Sequence, residues 1–504
     1  MKYFSVVSAV FLTAFTITAQ TNTEAGAGRA MSLADCIQEA LAHNLDLQIE
    51  RYNPQISLYS LRSAQGGYDP VLSISGQHNH DVTGADTENG FTLPASVSDE
   101  NAFSSDINGA TPWGMTYDLS GKASEKYGNS FSAKTNILVS PFDGSGASAQ
   151  LSVTQPLLRN FWIDNTRLTI RVAKNRLKYS EQGLRNQIMT TISAVENAYY
   201  ELIFAQENVK VQQAALALAQ TQLNQDKQRV QVGSLAPLDV QQDEAQVAQS
   251  QANLISAEYT LSTDRGALVV LITDSYSKWY ELDIQPTELT AVQQIFDIQD
   301  GWSKGLSQRP DLLQARLDVE QQGIQLKFYQ NQLLPELDLI GTYGYTGAGR
   351  EFSGAFNEFG ERDRPYYSYG ATLSFPLSNT KPRNQYKAGK ATKQQILLRL
   401  KQLEQNAMLE INNAVIQVRS SWESVQATRQ ARIYAEAALD AEQKKYAVGK
   451  STTFTVLQLQ NNLTAARSQE IRSLANYNEA LVNLGQQEGD TLERNGINLD
   501  VQGK

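Results

Sequence analysis

A seven-residue apolar repeat runs through the middle of the chain without a slip. Its first block places an apolar side chain at Ile188, Val195, Leu202, Val209, Leu216, Leu223 and Val230. After Gly233 the same spacing resumes at Val240, Val247, Leu254, Leu261 and Leu268. A strict seven-residue repeat keeps one seam of a helix against a partner and imposes a left-handed supercoil. The repeat therefore predicts two long helices that pack side by side and join at Gly233.

A second copy of this pattern lies 216 residues further along the chain. It consists of Ile411, Val418, Val425, Leu439, Tyr446, Gly449, Val456, Leu463, Tyr477 and Leu484. Three positions break the match, at Glu404, Arg432 and Glu470. The offset is constant through both turns, so neither copy has gained or lost a residue. Such a repeat predicts a chain built from two halves of one architecture.

The N-terminal stretch has the composition of a secretory signal. Lys2 supplies a positive charge, residues 3–15 form an apolar run, and Ile17-Thr18-Ala19 fits a cleavage site. The alternative is a short membrane anchor, but the run is too short to span a bilayer comfortably. We therefore predict a signal peptide at residues 1–19.

Charge and cysteine content narrow the class of protein. The net charge is -10 and there is no long basic run, so a nucleic-acid partner is not expected. No later segment stays apolar over the length of about 20 residues that a membrane-spanning helix requires. Cys36 is the only cysteine and cannot form an internal disulfide. We predict that it is a small buried residue of the first helix rather than a nucleophile.

Several stretches change from helical spacing to a two-residue period. The best matched are residues 72–80, 147–154, 337–345 and 367–377. In the last of these, tyrosine and other apolar residues alternate with small polar ones, which is typical of a transmembrane barrel strand. The alternative is a half-buried strand of a soluble sandwich. Two further runs, 113–119 and 131–139, are either a hairpin above the membrane or two more strands of the wall.

The layout divides the chain into two repeats. We predict a first repeat at 20–272, a connector at 273–298, a second repeat at 299–487 and a flexible tail at 488–504. Strands are expected within about 71–156 and 336–377, and long helices at 160–231, 236–272, 382–448 and 453–485. The longer helices would be rods of roughly 100 Å.

About four matched strands per chain are too few to close a barrel, because the smallest transmembrane barrels have eight. Several copies must therefore share the wall. The predicted fold class is an α+β membrane protein, in which a long α-helical coiled-coil tunnel continues a β-barrel shared between protomers.

A series of short motifs runs in order through the mature chain. These are Ser32-Leu33-Ala34-Asp35 with Ala40-Leu41 and Asn44, Asp69-Pro70, Gln155-Pro156-Leu157-Leu158-Arg159, Val232-Gly233 with Asp239-Val240, Arg309-Pro310-Asp311-Leu312, Leu334-Pro335 and Tyr446-Ala447-Val448-Gly449. In their order, spacing and duplication the chain resembles the outer membrane efflux protein family, the TolC-like trimeric channels, over about residues 32 to 487. Each motif alone is weak.

The resemblance implies a homotrimer with a 12-stranded barrel in the lipid of a Gram-negative outer membrane and a helical tunnel across the periplasm. It also implies docking to an inner-membrane transporter through a periplasmic adaptor (membrane fusion) protein. The function so implied is a passive exit duct of a tripartite efflux or type I secretion system, without a cofactor.

The alternative function is a non-conducting coiled-coil tether of the cell envelope. A tether needs no small polar face such as that formed by Ser368, Gly370 and Thr372. An enzyme is not expected, because the chain has no nucleophile elbow, Walker loop or HExxH motif. His78 and His80 share a strand face, but two ligands do not make a metal site.

The family resemblance also places candidate functional residues at the two glycine turns. The expected adaptor-contact tips are Val232, Gly233, Ser234, Leu235, Val448, Gly449 and Lys450. The expected periplasmic gate comprises Asp239, Asp243, Lys450, Ser451, Thr455 and Gln458. In the family, carboxylates of the second repeat ring the entrance, whereas this chain has Thr455 and Gln458 there. Our hypothesis is that Asp239 remains near the axis and that Lys450 links to it in the closed state.

Overall fold

The computed structural model describes residues 31–88, 91–93, 95–132, 137–275 and 291–497. The helices are α1 (Leu33–His43), α2 (Leu45–Glu50), α3 (Tyr52–Gln65), α4 (Asn165–Gln231), α5 (Pro237–Ile272), α6 (Ile298–Gln308), α7 (Pro310–Asn331), α8 (Phe352–Glu361), α9 (Thr380–Ala447), α10 (Thr453–Glu488) and α11 (Thr491–Arg494). The strands are β1 (Val71–Thr83), β2 (Asp86–Glu88), β3 (Phe91–Leu93), β4 (Ser96–Ala110), β5 (Thr116–Ser132), β6 (Ile137–Pro156), β7 (Glu336–Gly349) and β8 (Pro365–Ser374). The predicted signal peptide lies outside the described residues.

Two helical hairpins form the long part of the molecule, α4 with α5 and α9 with α10. The start of α4 is capped by Asp164, whose carboxylate accepts a hydrogen bond from the backbone N–H of Arg167 at 2.7 Å. α4 has 67 residues and α9 has 68, so each extends for about 100 Å. The boundaries lie within five residues of those predicted for the two rods and the two shorter return helices.

The apolar seam is buried as the seven-residue repeat predicts. Val195, Leu202 and Leu268 are fully enclosed in the first copy, and Ile411, Val456 and Leu484 in the second. Two of the three mismatched positions also find an explanation. Arg432 and Glu470 form an ion pair across α9 and α10, so the two exceptions to the repeat compensate each other.

The main sheet has six antiparallel strands in the order β1-β4-β5-β6-β7-β8, more than the four strands predicted. The run 113–119 contributes to β5, and 131–139 spans the β5–β6 junction, whose residues 133–136 are outside the described part. The first run therefore contributes to the six-stranded sheet, whereas the described part of the second run pairs only within the β5–β6 hairpin, beyond the residues paired with β4 and β7. β4 was not predicted, because Asp99, Asn101 and Ser105 interrupt the apolar face of that strand. The last strand also ends at Ser374 rather than at 377.

The two faces of this sheet differ in chemistry. Because residues paired in register point to the same side, each face can be followed across the strands. One face is apolar and includes Leu72, Ile107, Leu119, Leu151, Tyr343, Tyr367 and Leu373. The other carries small and polar residues, including Ser73, Asp106, Ser120, Gln150 and Ser368.

The C-terminal segment corrects another expectation. Residues 488–497 do not form a flexible tail: α10 continues to Glu488, Gly489 takes φ +78°, and α11 follows. Leu492 is buried in the same apolar cluster as Cys36, Tyr199 and Leu268. That contact holds the segment against the helices, while residues 498–504 lie outside the described part of the chain. The burial of Cys36 is confirmed, and it raises the pKa of this thiol to about 11.

Within the described ranges, none of the helices combines the length and the apolarity that crossing a membrane requires.

Candidate functional site at the turn end of the helical hairpins

The first helical turn is built around a glycine in the left-handed region. Gly233 has φ +76°, and the N–H of Ser234 returns to the carbonyl oxygen of Arg229 at 2.8 Å. The hydroxyl of Ser234 donates to the same carbonyl at 3.0 Å. A residue with a side chain is strained at this φ, which explains why glycine ends α4. Pro237 then begins α5.

The second turn repeats this geometry 216 residues later. Gly449 has φ +71°, and the N–H of Lys450 donates to the carbonyl oxygen of Lys445 at 2.9 Å. Thr452 then caps α10 by accepting a hydrogen bond from the N–H of Thr455. The two turns therefore present equivalent backbone shapes with different side chains.

Most of the predicted tip residues project into solvent. Val232 is 78% exposed and Val448 is 67% exposed. Ser234 and Lys450 are also exposed, whereas Leu235 is half-buried. An apolar side chain so exposed is free to contact a second molecule.

A buried carboxyl pair lies just inside the first turn. Asp226 of α4 is 0% exposed and Asp243 of α5 is 1% exposed. Asp226 accepts hydrogen bonds from Tyr446 of α9 at 2.7 Å and from Gln222 at 2.7 Å. The ring of Tyr446 lies under the guanidinium of Arg229, 4.5 Å from its centroid. The two helical hairpins are therefore joined through polar groups at this level.

The carboxyl of Asp243 favours its protonated form. Both of its oxygens and Oδ1 of Asp226 lack a hydrogen-bond donor in this geometry. A proton on Asp243 supplies one, because the neutral acid can donate to Asp226. Burial first, then this bond and the negative charges of Asp226 and Asp239, raise the pKa of Asp243 to about 7. Burial also raises the pKa of Tyr446 to about 12, so its hydroxyl stays a donor.

The other predicted gate residues do not converge within one chain. Asp239 is half-buried on the first turn of α5, and Gln458 is exposed on α10. Ser451 donates to Oε1 of Glu442 at 2.6 Å, and Thr455 is engaged with Thr452. Among the described residues of a single chain, no ion pair joins Lys450 to Asp239. The proposed Lys450–Asp239 link stays a prediction about the closed assembly.

Sequence reasoning missed Asp226, Gln222 and Tyr446 as members of this cluster. A signal was present, since Asp226 lies three residues after Leu223 and Asp243 three residues after Val240. These are the second apolar positions of the seven-residue repeat, which face the partner helix. An acidic residue there has to be buried, paired or protonated.

The two strand histidines lie beside a neighbouring carboxylate, Asp99. His80 lies 2.6 Å from Oδ1 of Asp99, and Nε2 of His78 lies 3.7 Å from the same atom. In the part of the chain that the structure describes, no three His, Cys, Asp or Glu side chains are arranged to hold a metal ion.

Comparison with known proteins places this architecture in a family. The sequence profile described as "Outer membrane efflux protein" matches residues 36–273 and 302–489. The chain belongs to the outer membrane efflux protein family. The gap between the two matches coincides with the connector predicted at 273–298. Members of this family are channels rather than enzymes, and they reside in the outer membrane of Gram-negative bacteria.

Individual relatives agree with this placement. Outer membrane protein TolC of Vibrio cholerae is 28% identical over 364 residues, which cover 69% of this chain and 79% of that protein. TolC of Escherichia coli is 25% identical over 57% of this chain and 59% of its own length. In structure, the outer membrane protein VceC of Vibrio cholerae superposes with a TM-score of 0.66, covering 91% of this chain and 96% of that one at 17% identity.

Proposed function

We propose that this outer membrane efflux protein forms a homotrimer that serves as the passive exit duct of a tripartite efflux or type I secretion system. The sheet carries the main support. Among the described residues, its six strands leave one edge of β1 and one edge of β8 unpaired. Unpaired sheet edges are not tolerated in contact with lipid, so neighbouring copies must pair them.

In a trimer, three sheets of six strands would close a barrel of 18 strands, instead of the 12 that the resemblance implies. The polar face of the sheet would then enclose water, and the apolar face would contact lipid. The helical hairpins would continue this wall as a tunnel. A non-conducting tether remains the alternative function, although it gives no reason for a continuous polar face.

The subunit number and the channel role are tested together. Native mass measurement of the purified protein in detergent is expected to give three copies, and planar bilayers are expected to show stable conductance. A stable folded monomer with its full β-structure contradicts the shared barrel. A trimer without conductance supports the tether.

We propose that the two glycine turns contact a periplasmic adaptor, which in turn engages an inner-membrane transporter. The exposure of Val232 and Val448 at the far end of the helices supports this role. Changing Leu235 to Asp is expected to abolish transport without altering trimer level or location. Gln241→Asp, which adds the same charge to an exposed position of the adjoining helix α5, is the matched control. Transport that survives the Leu235 change places the contact elsewhere.

We propose that the periplasmic gate includes Asp239 and Lys450, together with the buried Asp226–Asp243 pair. An exposed link between Asp239 and Lys450 is worth only about 0–1 kcal/mol, so the adaptor could open it easily. Single-channel recordings of Asp239→Ala and Lys450→Ala test this assignment. Unchanged conductance and unchanged block by multivalent cations in both variants exclude these residues from the gate.

A further inference from the structure

Helix α8 lies across the apolar face of the sheet, at the level where that face becomes polar. Its close approach depends on two glycines of β7. A Cβ at Gly347 would lie 2.3 Å from the carbonyl oxygen of Ala355, and one at Gly349 would lie 2.6 Å from the backbone nitrogen of Ala355. Glu358 also holds the helix in place, because it accepts a hydrogen bond from the N–H of Ala348 and pairs with Arg364.

The sequence of α8 has an apolar stripe that faces this sheet. Phe352, Ala355, Phe356 and Phe359 follow helical spacing. Ala355 is fully buried, and the ring of Phe352 packs against Phe103 of β4 with centroids 6.1 Å apart. Phe356, in contrast, is 52% exposed. A helix of this kind is typical of the boundary between acyl chains and headgroups.

The strand residues on either side of α8 also indicate that the helix lies at the boundary between the apolar and the polar part of this face. On the same face, the rung beyond the helix carries His78, Asn101 and Glu125. The rungs on the other side carry Ile74, Leu119 and Leu151 among other apolar and small residues. The helix therefore lies at the rim of the apolar belt.

Beneath α8 is a cavity of about 370 Å³. Its roof is formed by Phe356 and Phe359, its walls by Ile74 and Phe103, and its floor by small residues such as Ala123 and Ala149. This volume falls in the range of about 300–1,000 Å³ that is usual for small-molecule pockets. Lys122 borders the cavity, but strand alternation directs its side chain to the opposite face.

We propose that this cavity is a lipid site that holds one acyl chain of an outer-membrane lipid, clamped between α8 and the sheet. Its lining offers dispersion contacts and few polar partners, which suits a hydrocarbon chain better than a peptide or a polar solute. The cavity is continuous with the apolar belt that contacts lipid, so acyl chains can reach it from the side at Ile74. The proposal rests on the outer membrane location of the family and is independent of the transport role.

Photocrosslinking of the full-length protein tests this assignment. Phe356→p-benzoylphenylalanine places a photoreactive ring at the roof of the cavity with little change of shape. Leu72→p-benzoylphenylalanine reports ordinary lipid contact on the same face, and Asn357→p-benzoylphenylalanine reports the solvent side of α8. After purification from outer membranes and prolonged detergent washing, each protein is irradiated and its intact mass is measured.

The expected result is a lipid adduct at position 356, formed with lipid that stays bound through the washing, and no lipid adduct at position 72 or 357. Filling the cavity with Ala149→Phe is expected to lower the adduct at position 356 at least fivefold. Ala123→Leu fills the same space and replaces that variant if it does not fold. Ala371→Leu, on the same face outside the cavity, is expected to leave the yield unchanged.

Three results overturn the proposal. If only bulk lipid was present, the washing removes it and no lipid adduct forms at position 356 or at position 72. If α8 packs directly on the sheet with no lipid between them, the photoreactive ring at position 356 crosslinks α8 to the strands. Finally, if the acyl chain lies outside the cavity, neither cavity-filling change lowers the yield of the lipid adduct at position 356.

Discussion

The buried carboxyl pair predicts that replacing Asp243 by Asn will stabilise the turn end of the helical hairpins at alkaline pH. An amide resembles the neutral acid, because it can donate a hydrogen bond to Asp226 but carries no charge. The wild-type side chain ionises as the pH rises, and it then leaves two carboxylates facing each other in a site that water does not reach.

The direction of the pH effect follows from the raised pKa. The folded state favours protonated Asp243, so the stabilising contribution is complete below the ordinary pKa of 3.8 and is lost as the pH rises to about 7. At about 1.4 kcal/mol for each pKa unit, this rise sets an upper bound of about 4 kcal/mol. The adjacent Arg229 offsets part of this repulsion, so we expect about 1–2 kcal/mol.

Hydrogen exchange followed by mass spectrometry measures this local stability in the intact assembly. At about pH 8.5, the amides of peptides spanning 222–243 are expected to exchange roughly tenfold more slowly in Asp243→Asn, since about 1.4 kcal/mol corresponds to a factor of ten. At about pH 5 the difference is expected to shrink to about twofold or less, after correction for intrinsic rates.

Asp239→Asn is the matched control, because it removes from the same helix the carboxylate that contributes least to the raised pKa of Asp243. It is expected to change protection much less. Equal protection of wild type and Asp243→Asn at both pH values would refute the reasoning, since the pair would then impose no charge penalty.

Three further changes test packing elsewhere in the chain. Gly347→Ala should displace α8 and loosen the chain at the exposed Arg362, so that trypsin cleaves there faster, whereas Gly370→Ala, whose Cβ meets open space, should leave cleavage unchanged. Arg309→Gln removes bonds of 2.8 Å to both Asp311 and Glu410, so the free energy of unfolding should fall by about 2–3 kcal/mol in denaturant titrations. Full stability of both Arg309→Gln and Arg309→Lys would contradict this. Tyr477→Phe loses a 2.7 Å bond to the carbonyl oxygen of Val292 and should cost about 1 kcal/mol by the same measurement.

The helical part of the fold could be predicted closely because its signal is long and strict. Positions such as Val195 and Ile411 recur at a fixed spacing, and burial of that seam dominates the packing. The sheet was harder to predict, because a wall between lipid and water needs only one consistent face over a few residues. In β4, Phe103 and Ile107 hold the apolar face while Ser105 interrupts it, and the pairing with β1 and β5 compensates for that gap.

The site was predicted only in part, for a related reason. The glycine turns follow from local backbone chemistry, so Gly233 and Gly449 were recognisable from sequence. The link from Asp226 to Tyr446 depends on how two hairpins far apart in sequence are rotated against each other, and local spacing does not determine that angle. The acidic seam positions were nevertheless a sign that the packing there is polar.

The extra hairpin formed by β4 and β5 has a consequence for how such channels can evolve. Each added strand reverses the direction of the chain across the membrane, so a single insertion would deliver α4 to the wrong side of the envelope. An inserted pair of strands restores the direction of the chain. The short connection at 111–115, between β4 and β5, lies at the end of the sheet where Arg167 and the helices begin. The number of barrel strands in this architecture can therefore change only by whole hairpins. A threefold assembly would gain three hairpins at a time, while the number of helices in its tunnel stays the same.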